Sequence, residues 1–251
     1  WCKHIGVPTL YVVIPVFNEP ETLGDCVRKV VAVSLPVAWT MRIVLINDGS
    51  DSATRLASEQ LTSQFPNWMT LLHHQVNRGK GAALQTGFAH VVSASKNDLD
   101  AMIIQDADLE YDPNDFVPLI QALESNATNC SAFGNRWHNG SVQPGAHGWL
   151  HMRANRLLTT LSNLATGLRV TDMECCYKII PVEVLRKILP MLKENRFGIE
   201  PQIAAALART GVLVVEVPVS YSPRSFKEGK KIGPIDGFRA LWVIFRSKFR
   251  T

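Results

Sequence analysis

The chain has 251 residues, 46% hydrophobic and 19% charged, with a formal net charge of +4, which suits one large globular domain and excludes a disordered polymer. Five scattered cysteines, two of them adjacent, exclude a disulfide framework and a zinc spacing and fit a reducing compartment. No run of 18 or more apolar residues occurs, so nothing within these residues reads as a membrane-spanning helix.

Taken in chain order, "LYVVIPV" (10–16), "RIVLIN" (42–47), "AMIIQ" (101–105) and "CSAFGN" (130–135) have the length and apolar content of buried strands. The segments 20–34, 51–63, 79–95 and 113–124 read as the helices that join them. Such alternation predicts a mostly parallel α/β sheet whose ligand lies at the carboxyl ends of the strands. Polar groups follow the strands there: "FNE" after the first, "NDGS" after the second, "DAD" after "AMIIQ". The second half predicts a helix at 152–166, a turn at Gly167, a short run at 177–180, helices near 181–192 and 199–209, and a strand at 212–219. Residues 223–233 read as a basic loop. In a C-terminal helix, Phe238, Leu241, Trp242, Phe245 and Phe249 fall on one face, flanked by Arg239, Arg246, Lys248 and Arg250. Residues 224–251 carry eight basic and two acidic residues, a net +6 that leaves −2 for the remaining 223. That excess points to an anionic partner at this end, more than to nucleic acid. The helix suits an anionic membrane surface, with docking on the domain core as the plainer alternative.

Asp106, Asp108 and Glu110 crowd three carboxyl groups at a strand end, at an electrostatic cost that a divalent cation would offset. Two or three hard oxygen ligands, completed by water and phosphate, describe a Mg²⁺ or Mn²⁺ site holding a diphosphate. Asp48 is placed to accept hydrogen bonds from a base or ribose, while capping of the next helix by Asp48 or Ser50 is the ordinary alternative. "NRGKGAALQTG" (77–87) lacks the Walker and dinucleotide spacings, leaving Lys80 as a phosphate contact. Adjacent His73 and His74 show neither a metal-ligand spacing nor an evident acid partner.

Eight motifs occur in order: "VVIPVFNEPETL", "INDGS", "NRGKGAALQTGF", "IIQDADLEYDP", "GNRW", "TGLRVTDMECCYK", "RFGIEPQ" and "VPVSYSPRSFKEGKK". Over residues 9–245 the chain resembles family 2 glycosyltransferases, and within them dolichyl-phosphate mannose synthases and bacterial polyprenyl-phosphate glycosyltransferases. The resemblance implies a GT-A fold, with residues 1–223 as the catalytic domain and 224–251 as a basic loop and amphipathic helix. It implies that Pro15, Phe17, Glu19, Ile46 and Asp48 line the base and ribose pocket. Asp106, Ala107 and Asp108 would hold metal and diphosphate, with Glu110 a further metal ligand. Arg136 matches an arginine near phosphate; Arg224 and Lys230 match a loop that closes over the donor or the acceptor phosphate. Asp172 matches an aspartate proposed as a base, although an anionic phosphate acceptor needs positioning more than deprotonation.

The expected activity is therefore metal-dependent, inverting transfer of a hexose, from GDP-mannose or UDP-glucose, to dolichyl or polyprenyl phosphate. It would occur on the cytosolic face of a membrane, by a peripheral protein compatible with a homo-oligomer. Transfer to a soluble or glycan acceptor, and a non-catalytic nucleotide-sugar-binding scaffold, are the alternatives.

Overall fold

The computed structural model describes residues 6–126, 129–138, 146–224 and 234–249, apart from the side chains of 146–151, 234–236 and 247–249. Strand β1 (Thr9–Val16) is buried from Leu10 through Ile14, as expected of a strand covered on both faces. It pairs in parallel with β2 (Thr40–Asp48) on one side and β4 (Ala101–Ile104) on the other. Helix α1 (Leu23–Val31) links β1 to β2, and α2 (Ser52–Gln64) runs from β2 toward β3 (Met69–His74), which pairs in parallel with β2. The sequence reading had no strand at 69–74. "MTLLHH" carries only one β-branched residue and lies half-exposed at the sheet edge, so its pattern is weak.

Helix α3 (Lys80–Ala94) packs on β1 and β2. Beyond β4 come a short 3₁₀ turn, α4 (Phe116–Ser125), β5 (Cys130–Asn135), α5 (Ala146–Thr166), β6 (Lys178–Pro181), α6 (Val182–Ile188), α7 (Ile199–Arg209), β7 (Leu213–Pro218) and α8 (Pro234–Phe249). The seven strands run in the order β3-β2-β1-β4-β6-β5-β7. Strand β6 is antiparallel to both neighbours, and β5–β7 is parallel again. The sheet is thus mostly parallel, and the carboxyl ends of β1, β2 and β4 emerge on one edge.

Helix α8 lies on α5 and α7 and buries Ala240, Val243 and Ile244 against them. Phe238, Trp242 and Phe245 face outward, with 74%, 46% and 64% of their surfaces exposed. The helix thus docks by one stripe and presents aromatics on another. Leu241 is half-buried between the two, and the Phe249 side chain lies outside the described residues.

Candidate active site

Strand β4 ends at Ile104, so the "DAD" carboxylates project from the turn that follows and not from the strand itself. Leu109 adopts φ +64°, a left-handed conformation that costs a leucine about 1–2 kcal/mol. The turn also has Asp108 Oδ1 accepting from the Glu110 amide at 3.1 Å. Strain of this kind persists where the surroundings over-determine it, often at a site.

Each carboxylate here has a partner within the protein. Lys80, at the start of α3, places its ammonium 2.8 Å from Asp106 Oδ1 and 3.1 Å from Glu200 Oε1. Burial works against that ammonium, yet Asp106, Cys176 and Glu200 outweigh it and hold its pKa well above the ordinary lysine value. Glu200, buried at the start of α7, also receives Lys178 Nζ at 2.6 Å. Arg224 makes two 3.1 Å hydrogen bonds to Glu19 and lies 3.4 Å from Asp108 Oδ2. Glu110 accepts from the Arg224 amide at 2.8 Å and from the Tyr221 hydroxyl at 2.9 Å. The Tyr221 ring in turn lies 5.1 Å from the guanidinium of Arg136.

Asp106, Asp108 and Glu110 thus share one turn but face separate side chains and amides of the protein. No group of three His, Cys, Asp or Glu side chains is poised around a metal position among the described residues. The Glu110 carboxylate ties down the Tyr221 hydroxyl and the Arg224 backbone amide. Asp108 remains the strained member. Its carboxyl is pushed up to about 7, by burial first and then by the charges of Asp106 and Glu110, against the pull of its own turn hydrogen bond and of Arg224.

Asp48 is engaged within the protein. It is buried, and its oxygens accept from His74 Nδ1 (2.5 Å), Asn77 Nδ2 (2.9 Å), and the amides of Arg78 (3.0 Å) and Gly79 (2.7 Å). A carboxylate so supplied has little acceptor capacity left for a base or ribose. It builds the 77–79 turn that launches α3 and Lys80. Gly49 permits this approach, because at φ +67° a side chain there would meet the Val76 backbone at 2.3 Å. The next helix is capped by Asp51, whose side chain accepts from the Thr54 amide at 2.8 Å, and not by Asp48 or Ser50. Ile46 is fully buried in the core with its side chain against Gly87 of α3. Pro15, Phe17 and Glu19 are half-buried in and just past the end of β1, and Ala107 is buried beneath the turn.

Asp172 is fully buried and holds Arg136 on three hydrogen bonds: Nε at 2.8 Å, Nη2 at 2.7 Å and the backbone amide at 3.0 Å. A base needs an available oxygen. Both oxygens of Asp172 are engaged by the fork of Arg136. Arg136 also packs 5.1 Å from the Trp137 ring. Lys230 lies outside the described residues.

Glu19, Asp106, Asp108, Glu110, Arg136, Asp172 and Arg224 are therefore brought together through Tyr221, and Lys80 and Glu200 extend the network. Sequence reasoning missed Glu200, Lys178 and Tyr221 as members. "RFGIEPQ" and "TDMECCYK" contain the first two, but nothing local marks a glutamate that pairs with lysines 120 and 22 positions away.

The sequence profile of glycosyl transferase family 2 matches residues 11–189. The chain belongs to glycosyl transferase family 2. Curated relatives of this family 2 chain include the undecaprenyl-phosphate 4-deoxy-4-formamido-L-arabinose transferases of Edwardsiella ictaluri (27% identical over 220 residues) and Sodalis glossinidius (28% over 221). Each alignment covers 87% of this chain, and 62% and 61% of the relative respectively. The chain thus spans about three-fifths of the length of these relatives. Among solved structures, glucosyl-3-phosphoglycerate synthase from Mycobacterium tuberculosis, in complex with Mn²⁺, UDP and phosphoglyceric acid, aligns with a TM-score of 0.64. That alignment has 16% identity and covers 96% of this chain and 79% of the other. The same enzyme with UDP alone gives 0.67, covering 96% and 80%. The fold is GT-A-like, as the sequence reading expected.

Proposed function

We propose that this family 2 glycosyltransferase moves a hexose from a nucleotide sugar to a polyprenyl phosphate, with inversion and with help from Mg²⁺ or Mn²⁺. The observation that carries this reading is one polar network with two poles. At one pole stand Asp106 and Asp108 with Lys80 and Arg224; at the other, Arg136 fixed by Asp172. The first suits a nucleoside diphosphate, the second an acceptor phosphate. Asp106 and Asp108 would hold the metal, which Mg²⁺ permits because it keeps several waters and takes few protein ligands. The like-charge crowding at Asp108 fits such a cation. When bound, the ion supplies Lewis-acid stabilisation of the departing diphosphate.

Lys80 and Arg224 add positive charge beside that diphosphate, where negative charge grows in the transition state. An acceptor phosphate oxygen forms the new bond to the anomeric carbon as the bond to the diphosphate oxygen breaks. The electron pair leaves on the diphosphate. The acceptor is already ionised, so no base is required, in keeping with the engaged state of Asp172. Relatives named as undecaprenyl-phosphate transferases support a polyprenyl phosphate acceptor.

Incubation with radiolabelled GDP-mannose or UDP-glucose, polyprenyl phosphate and Mn²⁺ should carry label into organic solvent. Label incorporated into product but retained in water would favour a soluble acceptor, and nucleotide binding without transfer would favour a scaffold.

Association with the cytosolic membrane face belongs to the same proposal. No helix among the described residues is long and apolar enough to cross a membrane. Phe238, Trp242 and Phe245 are exposed on α8, with Arg239 and Arg246 each 4.9 Å from the Trp242 ring, and an apolar groove of about 430 Å³ runs between α5 and α8. Aromatics flanked by arginines suit the headgroup region of an anionic bilayer. Replacing Trp242 and Phe245 together by serine should weaken sedimentation with phosphatidylglycerol vesicles by about 10-fold or more. Transfer to a short, water-soluble polyprenyl phosphate should be unchanged. Equal vesicle binding by the double variant would rule out this face.

A further inference from the structure

Helix α8 has a cavity on each flank. The groove toward α5 is apolar, whereas a hollow of about 210 Å³ toward α7 is basic. Lys193 from the segment before α7, Arg209 from the last turn of α7, and Arg239 and Arg246 from α8 line that hollow. Its floor is made of small buried residues, Ala205, Ala206 and Val243. It shares no lining residue with the network around Asp106 and Arg136.

Hydrogen bonds hold the hollow in shape. Gln202 Oε1 accepts from the amides of Lys193 (2.7 Å) and Glu194 (2.8 Å), which pins that segment to α7. Glu194 is buried and grips Arg239 by both oxygens, from Nε at 2.8 Å and Nη2 at 3.1 Å. Glu194 is also the only acid lining the hollow among the described residues. Arg239 matches its charge, so the wall keeps a net positive charge. Like charges gathered from three chain segments repel, at a cost that a bound anion would offset.

Guanidinium forks and an ammonium suit the oxygens of a phosphate. The neighbouring aromatic points to the source of that phosphate. Arg239 and Arg246 each lie 4.9 Å from the ring of Trp242, which stands between them on α8 and is exposed. With Trp242 at headgroup depth, the hollow faces the phosphates of the bilayer. We infer that the α7–α8 hollow seats the phosphomonoester headgroup of an anionic bilayer lipid, apart from the acceptor phosphate at Arg136. This inference rests on the membrane reading of α8 above.

The test uses Lys193→Gln with Arg209→Gln, which leaves α8 and its aromatics unaltered. Sedimentation is measured with phosphatidylcholine vesicles carrying phosphatidic acid, and with vesicles brought to the same surface charge by oleate, which has no phosphate. Affinity for the first should fall about 10-fold or more, and for the second by less than about threefold. Transfer to a short, water-soluble polyprenyl phosphate should be unchanged. Lys193→Gln alone, at an exposed position, should show a smaller loss with the same selectivity, and carries the test where the double variant melts early.

Equal losses on both vesicles would reduce the hollow to diffuse charge and overturn the inference, as would no loss on either. Inorganic phosphate that raises the Tm of the wild type alone, with vesicle binding indifferent to the substitutions, would assign the hollow to a free phosphate ion instead. Loss of transfer to the short acceptor in a folded variant would join the hollow to the acceptor site and overturn a separate seat. A wild type that sediments with neither vesicle would overturn the membrane reading, and this inference with it.

Discussion

Asp108→Asn should cut sugar transfer by about 10²- to 10³-fold, yet leave the protein without donor at least as stable as wild type at pH 8. The two effects share one cause. The Asp108 carboxyl is pushed up to about 7 by burial and by the charges of Asp106 and Glu110, whereas in the unfolded chain it ionises near 3.9. Folding therefore retains a proton that the unfolded chain has lost. The resulting contribution to stability is complete below about pH 4, declines as pH rises toward 7, and is lost above it. At pH 8 the ionised group costs the fold on the order of a few kcal/mol, partly offset by its 3.4 Å contact with Arg224. Asparagine removes the charge and keeps an oxygen for the Glu110 amide. Thermal melts should thus show the wild type falling relative to the variant between pH 4 and 7. Mn²⁺ should raise the wild-type Tm more at pH 8 than at pH 6 and leave the variant unmoved. A variant that melts with Mn²⁺ as the wild type does would remove Asp108 from the metal site.

What the sequence disclosed follows a physical divide. Strands covered on both faces, such as "LYVVIPV" and "AMIIQ", announce themselves by composition alone. The "DAD" cluster was equally legible, because its two carboxylates are neighbours in the chain and need no fold to meet. Asp48 was less legible, for the opposite reason. Its meaning depends on His74, and His74 on a half-exposed edge strand whose pattern was too weak to register. The same holds for Asp172, whose partner lies 36 positions away, and for Glu200, which binds Lys80 across 120. Periodicity found the aromatic face of α8 but not the second, smaller stripe of Ala240, Val243 and Ile244, by which the helix docks. Small residues contribute little to an amphipathic pattern, although they set how closely two helices approach. Local chemistry can thus be read from a sequence, whereas a role assigned by a distant partner cannot.

That distinction bears directly on Asp172→Ala. The substitution should destabilise the protein by roughly 3–5 kcal/mol, since it strands a buried guanidinium without its counter-charge. Arg136→Ala should cost a similar amount, leaving Asp172 as the orphan. Replacing both, as Arg136→Met with Asp172→Leu, should recover most of the lost stability, because a well-packed apolar pair of like volume can replace a buried ion pair. Sugar transfer should not return. A base and an orienting group separate on this cycle. Were Asp172 a base, Asp172→Asn would lose kcat and the acidic limb of the pH–rate profile while Arg136 kept its place and phosphate acceptors bound normally. Since Asp172 holds Arg136 by both oxygens, KM for polyprenyl phosphate should rise instead, and the shape of the pH profile should survive. Arg136→Lys should reproduce that rise with stability less affected, because lysine keeps the charge but lacks the fork that grips both Asp172 oxygens. A pH limb that vanishes with Asp172→Asn at unchanged Tm and unchanged acceptor KM would restore the base role.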